Sequence, residues 1–248
     1  MFTRSAHLYD AICAWKNYAD EVERLHAIIG THKRSAGNAL LDVACGTGKH
    51  LELLAERYEV EGLDLDPDLL AVAGDRLPHV QLHEADMCGF DLGRRYDVVT
   101  CLFSAIGYAR TVSKLQQALQ AFSRHCAPGG VVIVEPWITP DRFIPNHVAA
   151  RFVDQPALKV ARINTSEIRD GLWIMDFNYL VGTPAGIEYF TERHEMGLFT
   201  HDDYMDAFRG AGLEVTHDPE GLMGRGLYIG TQPSSVTGQD AHMRRRSG

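Results

Sequence analysis

The sequence predicts an α/β protein: a doubly wound, seven-stranded, mostly parallel sheet interrupted late in the chain by an antiparallel sheet. Three observations carry this. Strand and helix signals alternate over residues 39–137. Several of those strands are continuous apolar runs, such as "VVIVE" and "DVVTCLF", as a sheet covered on both faces requires. After Trp137 the alternation stops and long stretches of period-two patterning follow.

The elements follow in order. Trp15, Tyr18, Val22, Leu25 and Ile29 recur at three or four positions with charges between them, the pattern of an amphipathic N-terminal helix. Strands are expected at 39–44, 60–65, 80–85, 96–103 and 130–137. Helices are expected at 49–58, 67–77 and 112–126, the second opened by Pro67 in its first turn. Three extended stretches come next, 158–169, 172–181 and 187–198, joined at "RDG" and "TPAG". In the second, Trp173, Met175, Phe177, Tyr179 and Val181 alternate with more polar residues, as in a half-buried antiparallel strand. A helix at 202–212 and strands at 213–216 and 227–231 complete the sheet. The expected division is a cover helix and core over 1–137, an inserted sheet over 138–199, completion of the core over 200–233, and a disordered polar tail over 234–248.

Composition removes several function classes. The 248 residues carry a formal net charge of -9, with 45% hydrophobic and 23% charged residues, an ordinary globular mix. No Lys/Arg cluster marks the body of the chain, which argues against nucleic acid as a partner. Arg244, Arg245 and Arg246 read as a solvated end. The five cysteines are scattered, without a C-x-x-C, which suits reduced thiols and a cytoplasmic location. His79 and His83 lack a third ligand, so no metal site is expected. No segment approaches 18 apolar residues, so no membrane span is expected.

Ligands of an open parallel sheet sit at the carboxyl ends of its strands. The first strand ends in "LLDVACGTGKHL", a buried strand entering a glycine turn and then a helix. Three ligands suit that shape: a dinucleotide, a nucleoside triphosphate or S-adenosylmethionine (SAM). A dinucleotide site asks for G-x-G-x-x-G, but Gly46 and Gly48 are followed by Leu51. The P-loop pattern is absent. Asp42 precedes the turn, Asp64 ends the second strand, and Asp86 and Met87 end the third. In this order they suit SAM: Gly46 and Gly48 near the methionine portion, Asp64 accepting both ribose hydroxyls, and Asp86 accepting the adenine amino group. Met87 and Leu65 offer apolar contact, and Ala44 and Leu102 complete the cofactor candidates. This set resembles the class I SAM-dependent methyltransferases with their Rossmann-like core.

A narrower resemblance covers residues 9–230. "LYD", "KNYADE", "VEGLDL", "FSAIGY", "PGGVVIVEPW", "LFTHDDYMDAFRGAGL" and "MGRGLY" fall in the order seen in the N-methyltransferases of TDP-linked amino sugars such as desosamine and mycaminose. The resemblance implies a small antiparallel sheet lying over the active site and a nucleotide-linked amino sugar as substrate, in antibiotic biosynthesis. It implies Tyr9 and Tyr18 in a cover over SAM, Tyr108 beside the amine and Arg225 against the pyrophosphate, where a planar guanidinium suits bidentate contact. Ser104 and Trp137 are further substrate candidates. Glu135 either orients the amine or caps a neighbour.

Tyr108 and Glu135 are the catalytic candidates, with Tyr108 expected to position the amine rather than take its proton. "CAWKNY" departs from the family by being about two residues shorter, with Trp15 in place of glycines and Asn17 in place of aspartate. Methylation of another small amine or hydroxyl, a SAM-binding protein without turnover, and a nicotinamide oxidoreductase are the rival readings. A homodimer is a candidate assembly.

Overall fold

The computed structural model describes residues 4–145 and 147–234. The tail expected at 234–248 therefore lies, save for its first residue, outside the described residues. Seven strands form the main sheet: β1 (Ala39–Val43), β2 (Glu59–Asp64), β3 (Gln81–Glu84), β4 (Tyr96–Cys101), β5 (Cys126–Val134), β10 (Glu214–Asp218) and β11 (Leu227–Thr231). Their order is β10-β11-β5-β4-β1-β2-β3. β1 to β5 pair in parallel, and β11 and β10 run antiparallel at one end.

Helices cover both faces, which explains the unbroken apolar strands. On one face α2 (Tyr18–His32) lays Val22, Leu25 and Ile29 against Leu40, Val98, Val131 and Ile133. On the other, α5 (Val112–His125) and α6 (His201–Gly210) supply Leu115, Leu119, Phe122, Tyr204 and Phe208. Leu25, Leu40 and Leu51 are fully buried; truncating such a side chain to alanine costs about 2–5 kcal/mol. α3 (Lys49–Leu54) and α4 (Pro67–Arg76) follow β1 and β2. The Asp66 carboxylate caps α4 by accepting the Asp68 and Leu69 amides, with Pro67 in the first turn.

A second sheet, β6 (Val148–Gln155), β7 (Leu158–Arg169), β8 (Leu172–Thr183) and β9 (Gly186–Gly197), is antiparallel throughout. Its inner face (Val160, Met175, Phe177, Tyr179, Val181, Phe190 and Met196) packs on Leu8 and Ile12 of the N-terminal segment. That segment includes the short helix α1 (Tyr9–Ile12).

Three expectations are corrected. The insertion has four strands, not three. β6 is an edge strand with seven of its eight residues at least partly exposed, so its sequence lacks an apolar alternation. Trp15 does not belong to the first helix. Asn17 caps α2, its side chain accepting the Asp20 amide, which places Trp15 in the turn before it, 52% exposed. β5 starts at Cys126 and stops at Val134, because the chain leaves the sheet at Glu135 and Pro136, which has no N–H for the ladder.

Candidate active site

The carboxyl ends of β1, β2, β3 and β4 face the inner side of the second sheet across a cavity of about 430 Å³. Asp64 organises its floor. One carboxylate oxygen accepts the Gly46 amide at 2.8 Å, and the other accepts the Asp66 amide at 2.9 Å. Burial raises the Asp64 pKa, opposed by these backbone hydrogen bonds. Asp42 is also buried, and burial pushes it up to about 6 even though the Thr100 hydroxyl donates to it at 2.7 Å.

The two glycines of the turn do different things. Gly46 has φ +57° and nothing within 4 Å of where a Cβ would stand, so its backbone is bare to the cavity. Gly48 has φ +77°, and a Cβ there would lie 3.2 Å from Leu77 and 3.3 Å from Ala73. It starts α3 and lets α4 pack close, and it is not in the cavity wall. Helix packing and backbone conformation both demand this glycine.

The wall does include Tyr9, Tyr18, Asp42, Ala44, Gly46, Asp64, Leu65, Asp86, Met87 and Leu102, as well as Tyr108, Trp137 and Arg225. Leu65, just after β2, is 52% exposed, an apolar side chain left standing next to Asp64. The Asp86 carboxylate accepts the Cys88 amide at 2.9 Å. This donor and acceptor set fits SAM: bare backbone at Gly46, a two-oxygen acceptor at Asp64, an apolar face at Leu65 and Met87, and an acceptor at Asp86.

Ser104 and Glu135 do not line the cavity. Both are fully buried beneath it. The backbone turns sharply after β4, with Phe103 at φ 50° and Ser104 at φ 63°, a conformation that costs a non-glycine residue energy. Glu135 holds that turn by accepting the Phe103 amide at 2.6 Å, and the Ser104 hydroxyl donates to the Pro136 carbonyl at 2.7 Å. One Glu135 oxygen caps this turn, while the other, Oε1, is buried without a hydrogen-bond partner among the described residues. Arg225 is anchored from the same turn: its guanidinium donates to the Ser104 oxygen at 2.8 Å and lies 5.2 Å from the Trp137 ring centre and 5.6 Å from that of Phe103.

Other residues of the site were not singled out from sequence. Asp10 pins the N-terminal cover to the glycine turn: the Thr47 hydroxyl donates to it at 2.6 Å, and Arg76 bridges Asp10 and the Thr47 carbonyl. The Lys16 ammonium is buried against Glu21 and lies 4.5 Å from the Phe103 ring centre and 4.9 Å from that of Tyr18. Glu21 also pairs with His50 at 3.0 Å. Arg162 and His194 enter the wall from the inner face of the second sheet, and the Tyr108 hydroxyl lies 2.6 Å from His194 Nδ1. The parity of the strand patterning carried the only signal for these two. His83, weighed with His79 in the sequence, pairs with Glu61 at 2.8 Å. No metal-binding cluster occurs among the described residues.

Residues 40–130 match the family model of a methyltransferase domain. The chain is 43% identical over 229 residues to a dTDP-3-amino-3,6-dideoxy-alpha-D-glucopyranose N,N-dimethyltransferase of Streptomyces fradiae, covering 91% of this chain and 89% of that protein. A solved structure of DesVI from Streptomyces venezuelae superposes with a TM-score of 0.83 at 38% identity, covering 88% of this chain and 93% of the other. The SAM-bound structure of CalS10, an amino pentose methyltransferase of Micromonospora echinaspora involved in calicheamicin biosynthesis, gives a TM-score of 0.81 at 41% identity, with 91% and 95% covered. Identity at this level over nearly the whole of each protein, joined to the glycine turn and the covering sheet, makes the chain a class I SAM-dependent methyltransferase of the dTDP-amino-sugar N,N-dimethyltransferase family.

Proposed function

We propose that the protein transfers methyl groups from SAM to the amino group of a TDP-linked amino deoxysugar, giving the dimethylamino sugar, in antibiotic biosynthesis. One observation carries the reading. A single cavity is lined both by Gly46, Asp64 and Leu65 and by Tyr108, Trp137 and Arg225. A cofactor and a phosphate-bearing substrate can therefore meet within it.

SAM supplies an electrophilic methyl on a sulfonium leaving group. The chain's task is then to hold a nitrogen lone pair in line with that methyl. An amine titrating near an α-amino group, at about 8, has a usable neutral fraction at neutral pH without an enzymic base. Burial pushes the Tyr108 phenol above its ordinary range, which makes it a poor proton acceptor by itself. Positioning is the larger resource: near-attack geometry contributes about 7–11 kcal/mol in well-oriented systems. Arg225, braced by Ser104, holds the pyrophosphate and so places the sugar. Asp64 and Asp86 hold the ribose and adenine. The N-terminal cover, tied down by Asp10, excludes water.

We further infer a cytoplasmic homodimer, with 1–137, 138–199 and 200–233 as its working units. All five cysteines are free, and among the described residues no helix is long and apolar enough to cross a membrane. On the outer face of the second sheet Phe152, Ala161, Leu180 and Tyr189 stand directly opposite one another, one from each strand. Phe152, Leu180 and Tyr189 are 72%, 50% and 62% exposed. An apolar row of this kind suits burial against its own copy about a two-fold axis.

The test of function is incubation with SAM and a panel of TDP-3-amino and TDP-4-amino sugars, read by mass spectrometry. One or two added methyl groups are expected on at least one sugar. Methylation of other small amines or hydroxyls, with every TDP-amino sugar left untouched, overturns the reading.

A further inference from the structure

Alternate residues of β9 point inward, so Phe190, Glu192, His194 and Met196 are all buried under the second sheet. His194 reaches the cavity wall. Its Nδ1 lies 2.6 Å from the Tyr108 hydroxyl, and its ring stands edge-on to Phe177 with centres 4.9 Å apart. Its Nε2 faces a Glu192 carboxylate oxygen at 3.8 Å. Glu192 in turn accepts the Arg4 amide at 2.8 Å, the Ser5 amide at 3.0 Å and the Ser5 hydroxyl at 2.6 Å.

The directions of these hydrogen bonds follow from which groups are able to donate. Burial pushes Glu192 up, but the nearby His194 ring and the hydrogen bonds from the Ser5 hydroxyl and the Arg4 and Ser5 amides outweigh it and bring the carboxyl to about 2. An ionised carboxylate only accepts, and its negative charge 3.8 Å away favours the proton on the imidazole nitrogen that faces it. In a neutral ring the other nitrogen is then the acceptor, and the Tyr108 hydroxyl donates to it. A phenol has one proton. With that proton committed to His194, Tyr108 turns only lone pairs toward the cavity.

We propose that His194, oriented by Glu192, is a positioning residue that fixes Tyr108 as a hydrogen-bond acceptor for the substrate nitrogen and thereby turns the nitrogen lone pair toward the methyl donor. The proposal rests on the reading that the substrate is an amine. A neutral primary or secondary amine offers N–H bonds and one lone pair. A phenol that donated would occupy the lone pair, whereas a phenol that accepts takes an N–H and leaves the pair free. The same acceptor serves the first and the second methyl transfer, because both nitrogens still carry an N–H. A neutral tertiary amine has none, so Tyr108 cannot aim it and the reaction stops at two methyl groups.

The test is a kinetic double-mutant cycle on whichever amine the parent enzyme methylates, so that failure of the TDP-sugar reading is a separate result. In His194→Leu the Tyr108 proton loses its acceptor and swings toward the substrate. Loss of transition-state aim lowers kcat about tenfold or more, with KM for the amine and SAM affinity little changed. In His194→Asn the side-chain oxygen accepts the same hydroxyl and kcat recovers to within about threefold of the parent. In Tyr108→Phe, with no hydroxyl to direct, adding His194→Leu costs nothing further. His194→Phe replaces His194→Leu if the leucine variant does not fold.

Equal losses from His194→Leu with and without the Tyr108 hydroxyl, or an asparagine variant as impaired as the leucine one, overturn the proposal. So does a parent enzyme that methylates only hydroxyl groups.

Discussion

Asp64 accepts the Gly46 amide at 2.8 Å, so the end of β2 holds the glycine turn that follows β1. The same carboxylate is the ribose acceptor proposed above, and one substitution therefore tests both roles. Asp64→Ala is expected to weaken SAM binding at least about tenfold, since hydrogen bonds to a charged group contribute roughly 1.5–3 kcal/mol each. Asp64→Asn, which keeps one acceptor for the Gly46 amide, loses less. Calorimetric titration with SAM checks this, and unchanged affinity in the alanine variant removes Asp64 from the cofactor site.

Arg225 is expected to control the sugar nucleotide and not the cofactor. Arg225→Ala weakens TDP-sugar binding about tenfold or more, and Arg225→Lys recovers only part because an ammonium lacks the planar fork. Ser104→Ala removes the hydroxyl that braces Arg225 and gives a smaller loss of the same kind. SAM titration should read the same in all three variants. Parent-like sugar binding in both Arg225 variants would sink the pyrophosphate role.

Tyr108→Phe should keep measurable turnover, falling about tenfold to a hundredfold through lost aim at the nitrogen. A base would leave a different trace. If the acidic limb of the pH–rate profile disappears together with a loss reaching about 10⁴, Tyr108 takes the proton itself.

Glu192 makes stability depend on pH in a defined window. Its folded value of about 2 lies below the ordinary 4.5, so its contribution is complete above pH 4.5 and is lost as the pH falls through about 2. At 1.36 kcal/mol per pH unit, this amounts to about 3 kcal/mol at pH 7. Glu192→Gln should therefore be less stable at pH 7 by about that amount and should lose the parent's slope between pH 4.5 and 2. Urea melts at several pH values measure both.

Leu180→Glu places a charge in the centre of the exposed row on the second sheet. It is expected to convert a dimer to a monomer in light scattering, while leaving SAM binding intact. A parent chain that is monomeric at micromolar concentration overturns the homodimer.

The sequence by itself determined the main sheet and the antiparallel insertion, and it named strand-end residues that line one cavity. These are periodic or local signals: apolar runs covered on both faces, Pro67 at a helix start, and a glycine turn whose neighbours lie in the next strands. It also set the order of motifs by which the family is recognised. The tertiary structure alone decided which of the named residues face the cavity. Gly48, Ser104 and Glu135 were named with the others, yet they do not line the cavity and pack into a helix contact and a left-handed turn, because side-chain direction after a sharp turn is not periodic. The edge strand β6 was missed because solvent on most of its positions leaves no alternation to read. His194 and Glu192 lie about 85 residues beyond Tyr108 in the chain. They meet it only because the antiparallel register of β9 carries one face of the second sheet over the carboxyl ends of the first, a long-range juxtaposition with no local signature.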